Sequence, residues 1–239
     1  MNTIKFDSKS AKVVAHRGLS GIEKENTNAA FIAAGNRSYY GIETDVHRTL
    51  DGKFVCIHDD TTGRVAIDNM TVEETTFDTL RRLNLADRDN IKGREDLKIP
   101  TLKEYISTCK RYEKFAVLEL KNDFEKEDIA KICDEIIELD YLQNVIFISF
   151  SFDNMLKLRE LYPTQAAQYL ADDYTDELPE LLKEHKLDLD IRYTELTEER
   201  IAALHADGVK VNCWTCDDKQ AGEDLSRWGI DFITSNILE

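Results

Sequence analysis

The feature that most constrains this chain is a regular alternation of short apolar runs with longer stretches of helical periodicity. Apolar or β-branched runs fall at residues 13–16, 41–46, 54–58, 115–120, 145–150, 166–170, 187–191, 209–214 and 231–233. Between them, residues 27–36, 101–111, 125–140, 152–162, 176–186, 197–207 and 218–228 place apolar side chains at i, i+3 and i+4, the spacing of amphipathic helices. Helix-end chemistry agrees where it can be read: Thr197 with Glu198 and Glu199 opens one helix and Gly208 closes it.

Strand, crossover helix and strand in repetition require a parallel sheet. The run at 54–58 interrupts the alternation, and Asp51-Gly52 just before it is a tight hairpin turn, so this run is expected to pair back on 41–46. Eight strands then remain, the number of a (β/α)8 TIM barrel. A doubly wound open sheet would alternate in the same way, so periodicity does not choose between them and the polar residues must. Residues 59–100 read as a small insertion between the second barrel strand and its helix, with 71–83 predicted helical and 86–98 charged and aperiodic. With 239 residues, 42% of them hydrophobic, and no Gly/Ser/Pro-rich linker, one domain over 1–239 is expected.

In a parallel barrel, function sits at the C-terminal ends of the strands. Here Val13-Val14-Ala15 ends in His16-Arg17-Gly18, Gly41-Ile42 leads into Glu43-Thr44-Asp45, Val55-Cys56-Ile57 ends in His58-Asp59, and Ala116-Val117-Leu118 runs into Glu119-Leu120-Lys121. Glu43 and Asp45 are two apart, as are Glu119 and Lys121, so each pair points to one side of its strand. Three carboxylates converging there would repel one another unless a cation offset them, and all-oxygen ligation suits a hard divalent ion, Mg²⁺ or Ca²⁺. His16 and His58 can exchange protons near neutral pH, and Arg17 and Lys121 can donate to phosphate oxygens, which together is equipment for phosphoryl transfer.

Charge narrows the partners. Against 31 basic side chains stand 47 acidic ones, a formal charge of -16 that repels nucleic acid and anionic membrane surfaces and leaves a small molecule held by a local cationic cluster. The five cysteines, Cys56, Cys109, Cys133, Cys213 and Cys216, lie mostly in apolar runs and read as reduced, buried thiols. The start Met1-Asn2-Thr3-Ile4-Lys5-Phe6-Asp7 lacks the apolar segment of a secretory signal, so a cytoplasmic protein is expected. The sequence sets no oligomeric state.

The ordered set His16-Arg17-Gly18, Glu25-Asn26-Thr27, Glu43-Thr44-Asp45, His58-Asp59 and Glu119-Leu120-Lys121 resembles the glycerophosphodiester phosphodiesterase family over nearly the whole chain. Thr49-Leu50-Asp51-Gly52, Ile99-Pro100-Thr101-Leu102 and Trp214-Thr215 add to the resemblance. It implies a (β/α)8 barrel with an insertion after the second strand, one divalent cation, and hydrolysis of glycerophosphodiesters to sn-glycerol 3-phosphate and an alcohol through a cyclic phosphate. By resemblance, Glu43, Asp45 and Glu119 hold the metal, His16 and His58 are the acid–base pair, and Arg17, Lys121, Glu25 and Trp214 bind substrate. Lys24 stands where the family often has Pro, Thr62-Gly63-Arg64 keeps only the Arg of a Leu-x-Arg pattern, and Thr234-Ser235-Asn236 replaces a Thr-Asp, which predicts an altered polar contact at the last strand. Two alternatives stay open: a phosphodiesterase of another headgroup class, lysophospholipase D-like, and a catalytically quiet barrel module.

Other features read as structural. Cys213 and Cys216 lack the second pair that a metal site needs. His47, His185 and His205 close no apolar run, which predicts solvated or capping roles. Phe150, Tyr169 and Trp214 close later strands, where aromatic rings either pack the core or line the mouth.

Overall fold

The computed structural model describes residues 2–91 and 94–239. Eight parallel strands form a nearly closed barrel: β1 (Lys12–Ala15), β2 (Gly41–Arg48), β4 (Phe115–Leu120), β5 (Val145–Ser149), β6 (Ala167–Ala171), β7 (Asp188–Arg192), β8 (Val211–Trp214) and β9 (Phe232–Ser235). They neighbour one another in the order β8-β7-β6-β5-β4-β2-β1-β9. Across the remaining gap, Asp231 N donates to Val211 O at 3.1 Å and Cys216 N to Thr234 O at 3.0 Å. The outer ring is built by α1 (Asn28–Gly35), α3 (Leu102–Arg111), α4 (Lys126–Ile137), α5 (Phe152–Leu161), α6 (Leu178–His185), α7 (Glu198–Ala206) and α8 (Lys219–Arg227). Every apolar run noted above is a strand, and every periodic stretch outside the insertion is a helix.

The remaining strand, β3 (Phe54–Cys56), pairs antiparallel with β2 in the register Val46↔Cys56 and Arg48↔Phe54, which is the hairpin expected from Asp51-Gly52. Gly52 has φ +74°, a left-handed value that side chains resist, and its N donates to Thr49 O.

Side-chain parity sorts the apolar residues into two layers. Val13, Ala15, Ile42, Leu118 and Phe147 point outward and pack under the helices, while Val14, Val117, Ile146, Ile148, Leu170 and Phe232 fill the barrel interior. A separate cluster, including Val55, Ile57, Val65, Val72, Leu80, Leu85 and Ile99, holds the segment between β3 and α3 together.

That segment is less helical than its sequence suggests. Of residues 71–83, only α2 (Phe77–Arg82) is helical. Thr71–76 is rich in β-branched residues and forms turns instead, with Thr75 N donating to Val72 O and Thr71 bridged to Thr61. Asp51 Oδ1 accepts the amide of Phe77 at 2.9 Å, so the helix starts where the hairpin turn caps it. Part of 86–98, at Lys92 and Gly93, lies outside the described residues.

All five cysteines are free and buried. No helix among the described residues is long and apolar enough to cross a membrane.

Candidate active site

The mouth of the barrel is built first by a sharp turn after β1. Arg17 and Gly18 both take positive φ, +53° and +73°, and a Cβ on Gly18 would lie 2.7 Å from Ala30. The turn aims two amides at β2: Arg17 N donates to Glu43 Oε2 at 2.6 Å and Gly18 N to Glu43 O at 3.1 Å. Glu43 is thereby fixed beside His16, whose Nε2 lies 4.0 Å from Oε2.

Parity and register place the other carboxylates as the sequence implies. Asp45 on β2 is the ladder partner of Glu119 on β4. One ligand atom each of Glu43, Asp45 and Glu119 can be chosen so that all lie within 4.8 Å of one another, and all three residues are buried. Two cations flank them: Lys121 Nζ is 2.9 Å from Glu119 Oε1 and 3.8 Å from Asp45 Oδ1, and Arg17 Nε is 3.6 Å from Asp45 Oδ2.

The charges divide unequally. Burial opposes ionisation of Asp45, yet Arg17, His58, Lys121 and a 2.7 Å bond from Asn26 Nδ2 outweigh it and hold this carboxyl well below the usual range. Burial, and then the charge of Asp45, push Glu43 well above its ordinary value and Glu119 up to about 8. Arg17, His58, Lys121 and Asn26 thus favour the ionised form of Asp45, while burial and the charge of Asp45 favour the neutral form of its two neighbours. Three oxygen donors so arranged fit a hard divalent cation, whose charge would favour the ionised form of all three.

The two histidines are oriented differently. His16 Nδ1 lies 2.8 Å from Asn236 Oδ1, which also accepts from Ser20 Oγ, while Asn236 Nδ2 donates to Asp217 Oδ2 at 2.7 Å. Asp217 settles which way the amide faces, so Nδ1 of His16 carries the proton and Nε2 is left as an acceptor. Burial, and then Arg17, lower the His16 pKa to about 4, so the ring is neutral at pH 7. His58 Nδ1 donates to Asp59 Oδ1 at 2.6 Å, and Asp59 is gripped in turn by Arg64, whose hydrogen bond is the main cause of the Asp59 pKa falling to about 2.

His16, Arg17, Glu43, His58 and Glu119 line one cavity of about 110 Å³ together with Ile148, Phe150, Leu170, Asp190, Trp214 and Thr234. Glu25 and Lys121 stand beside it. Glu25 is occupied by two guanidinium groups, at 3.0 Å from Arg17 and 2.7 Å from Arg64.

Several supporting residues escape a reading of strand ends. Asn26, at φ +51°, donates to Asp45 and accepts from Thr44 Oγ1 at 2.6 Å. His47 is fully buried, with Nε2 3.2 Å from the carbonyl of His58, so the solvated role expected for it is wrong. It lies on β2 two residues past Asp45, and the β3 hairpin covers it. The altered contact expected at 234–236 takes the form of Asn236 holding His16. Asp190 interrupts an apolar strand at inward parity, a signal present in Leu187-Asp188-Leu189-Asp190-Ile191. It is 1% exposed, and burial and then Glu119 raise its pKa well above the ordinary value.

A TIM barrel with a buried carboxylate trio, two histidines and two cations at the C-terminal ends of its strands defines a hydrolase of the phosphodiesterase class. The chain belongs to the glycerophosphoryl diester phosphodiesterase family, whose sequence profile matches residues 16–238. It is 28% identical over 233 residues to a glycerophosphodiester phosphodiesterase of Caldanaerobacter subterraneus subsp. tengcongensis, covering 95% of this chain and 94% of that one. A phosphodiesterase of Oleispira antarctica, solved in complex with the product sn-glycerol-3-phosphate, superposes with a TM-score of 0.87 at 26% identity over 98% of this chain and 96% of that one. A glycerophosphodiester phosphodiesterase of Parabacteroides distasonis gives 0.81 at 26% identity over 95% and 93%.

Proposed function

We propose that the protein hydrolyses glycerophosphodiesters to sn-glycerol 3-phosphate and an alcohol, with one divalent cation, Mg²⁺ or Ca²⁺, held by Glu43, Asp45 and Glu119. The observation that carries this reading is that His16 and His58 line one cavity with Glu43 and Glu119, two of the three clustered carboxylates. A bound cation would supply Lewis-acid polarisation of a phosphate oxygen.

The remaining work falls to side chains. Arg17 donates to the phosphate, and Lys121 steadies the charge of the carboxylates around it. His16, neutral with its proton on Nδ1, offers Nε2 as the base that takes the proton of the glycerol 2-hydroxyl. That oxygen bonds to phosphorus as the bond to the alcohol oxygen breaks, and His58, steadied by Asp59, gives its proton to the departing alkoxide. Water then opens the resulting cyclic phosphate with the histidine roles reversed: His58 takes a proton from the water and His16 gives its proton back to the 2-oxygen, which restores both rings. Glu25, clamped by Arg17 and Arg64, positions Arg17, and Trp214 walls the cavity. In this reading residues 1–239 act as one domain, and the insertion at 59–100 carries Arg64 to the rim.

The test is hydrolysis of a panel of glycerophosphodiesters and a lysophospholipid, read as released sn-glycerol 3-phosphate for the former and released headgroup alcohol for the latter, with Mg²⁺, Ca²⁺, Mn²⁺ or chelator. Cation-dependent release from the glycerophosphodiesters is expected. Release from the lysophospholipid alone would favour the other headgroup class, and no release would favour a quiet binding module.

A further inference from the structure

Among the described residues, three buried polar atoms on side chains of the cavity wall have no hydrogen-bond partner; Arg17 Nε still faces Asp45 at 3.6 Å, which leaves Oδ1 of Asp190 and Nε1 of Trp214 with neither hydrogen bond nor ion pair. They sit on neighbouring strands in the register Asp190↔Asn212 and Arg192↔Trp214, so Trp214 lies two residues nearer the mouth on the same inward face. Both line the cavity that holds His16 and His58. An orphaned buried acceptor and an orphaned buried donor are each costly, and a native fold keeps such groups where a ligand completes them.

Asp190 does not join the carboxylate trio. It also makes no ion pair of its own, unlike Asp172 on the rim, which pairs with Arg192 at 2.5 Å. A structural carboxyl at this depth would be bonded, and a third role is needed.

The geometry points to Asp190 and Trp214 as a hydroxyl-recognition subsite, in which one hydroxyl of the substrate's glycerol arm donates to Asp190 Oδ1 and accepts from Trp214 Nε1. A hydroxyl is the small group that offers both a donor and an acceptor at one atom. Ile148, Leu170 and Phe150 give the carbon chain apolar walls. The glycerol arm is assigned here, rather than the alcohol, because Asp190 is 1% exposed in a cavity of about 110 Å³, enough for a three-carbon unit. The alcohol varies between substrates and needs open space, and a cleft of about 820 Å³ adjoins at Phe150 and Leu170. The subsite rests on the function proposed above, deepens it, and makes Asp190 a determinant of specificity.

The test compares binding of sn-glycerol 3-phosphate and propane-1,2-diol 1-phosphate, which keeps the phosphate, the carbon count and the 2-hydroxyl that meets His16 but lacks the terminal hydroxyl, by calorimetry on the cation-loaded protein. Wild type is expected to favour the glycerol ester by at least about tenfold, because a site built for a hydroxyl rejects the analogue that lacks it. Asp190→Leu should bring the two affinities within about threefold of each other without lowering Tm, since it removes an unpartnered buried carboxyl. Asp190→Asn, which keeps an acceptor oxygen, should retain most of the preference. An unchanged preference in Asp190→Leu, equal loss of both ligands, or a changed preference among diesters by their alcohol would overturn the subsite while leaving hydrolysis by wild type intact. A wild type that neither binds these esters nor releases sn-glycerol 3-phosphate would instead remove the function on which the subsite rests.

Discussion

The barrel mouth has two unlike halves. On the β1–β2–β4 side, polar groups are tied down: Glu43 by the Arg17 amide, Asp45 by Asn26 and Arg17, Glu119 by Lys121, His16 by Asn236. On the β5–β8 side, Ile148, Phe150 and Leu170 form apolar walls around Asp190 and Trp214, whose orphaned atoms are held by nothing. Groups that must keep one geometry through a reaction need partners that fix it, whereas groups that recognise a ligand are left unsatisfied until it arrives. The first half is therefore read as chemistry and the second as selection.

The sharpest way to break that division is to remove a charge from the tied side. Asp45→Ala leaves Arg17 with its buried anionic partner gone, and a loss on the order of 3 kcal/mol in denaturant unfolding is expected along with cation binding. Glu119→Gln replaces a proton-holding carboxyl by its neutral analogue, so cation binding should be lost with little change in stability of the cation-free protein. Equal destabilisation by both would contradict the unequal charge division.

Asn26→Ala removes the donor that orients Asp45, and the expected effect is about 10- to 100-fold weaker cation binding by titration calorimetry. Unchanged affinity would reduce Asn26 to a feature of the turn.

Cation-free stability should fall as pH rises between 6.5 and 8. The sign follows from Glu119, whose pKa is raised from 4.5 to about 8, so the folded protein binds more protons than the unfolded chain across that window. Glu43 shifts in the same direction. His16, lowered from 6.5 to about 4, acts oppositely but only below 6.5. For one proton the loss is at most about 2 kcal/mol, measured by urea unfolding at stepped pH, and a divalent cation should abolish it. Stability that is flat or rising from 6.5 to 8 would remove the argument for protonated ligands.

The smallest effect belongs to the selecting half. Phe150→Ala should raise KM several-fold, about 1 kcal/mol of lost contact, and leave kcat and cation affinity near wild type. A fall in kcat with unchanged KM would move Phe150 to the catalytic side.

The same division explains what could be read from the sequence. Glu43, Asp45, Glu119 and Lys121 were legible because a two-residue spacing on a strand is a geometric statement, and the register Asp45↔Glu119 agrees with it. The β2–β3 hairpin was legible because Asp51-Gly52 is a local turn signal. Residues 71–83 were misread because local helical spacing carries no information about the turns that β-branched residues and the Asp51 cap enforce. Asn26 and Asn236 gain their roles through partners 19 and 220 residues away, and Arg64 reaches Glu25 across 39 besides its near neighbour Asp59, separations that no local pattern reports. Asp190 gave a visible signal, a charge inside an apolar run, but it closes no strand and so fell outside the criterion that found the others.

The central claim is that His16 and His58 exchange protons at one cavity beside the carboxylate trio. It is tested most directly by single-turnover release of sn-glycerol 3-phosphate from a glycerophosphodiester by His58→Ala at saturating divalent cation, with Tm and cation affinity measured on the same preparation. The account requires a fall of at least about 100-fold with both controls unchanged. Release within a few-fold of wild type would contradict it.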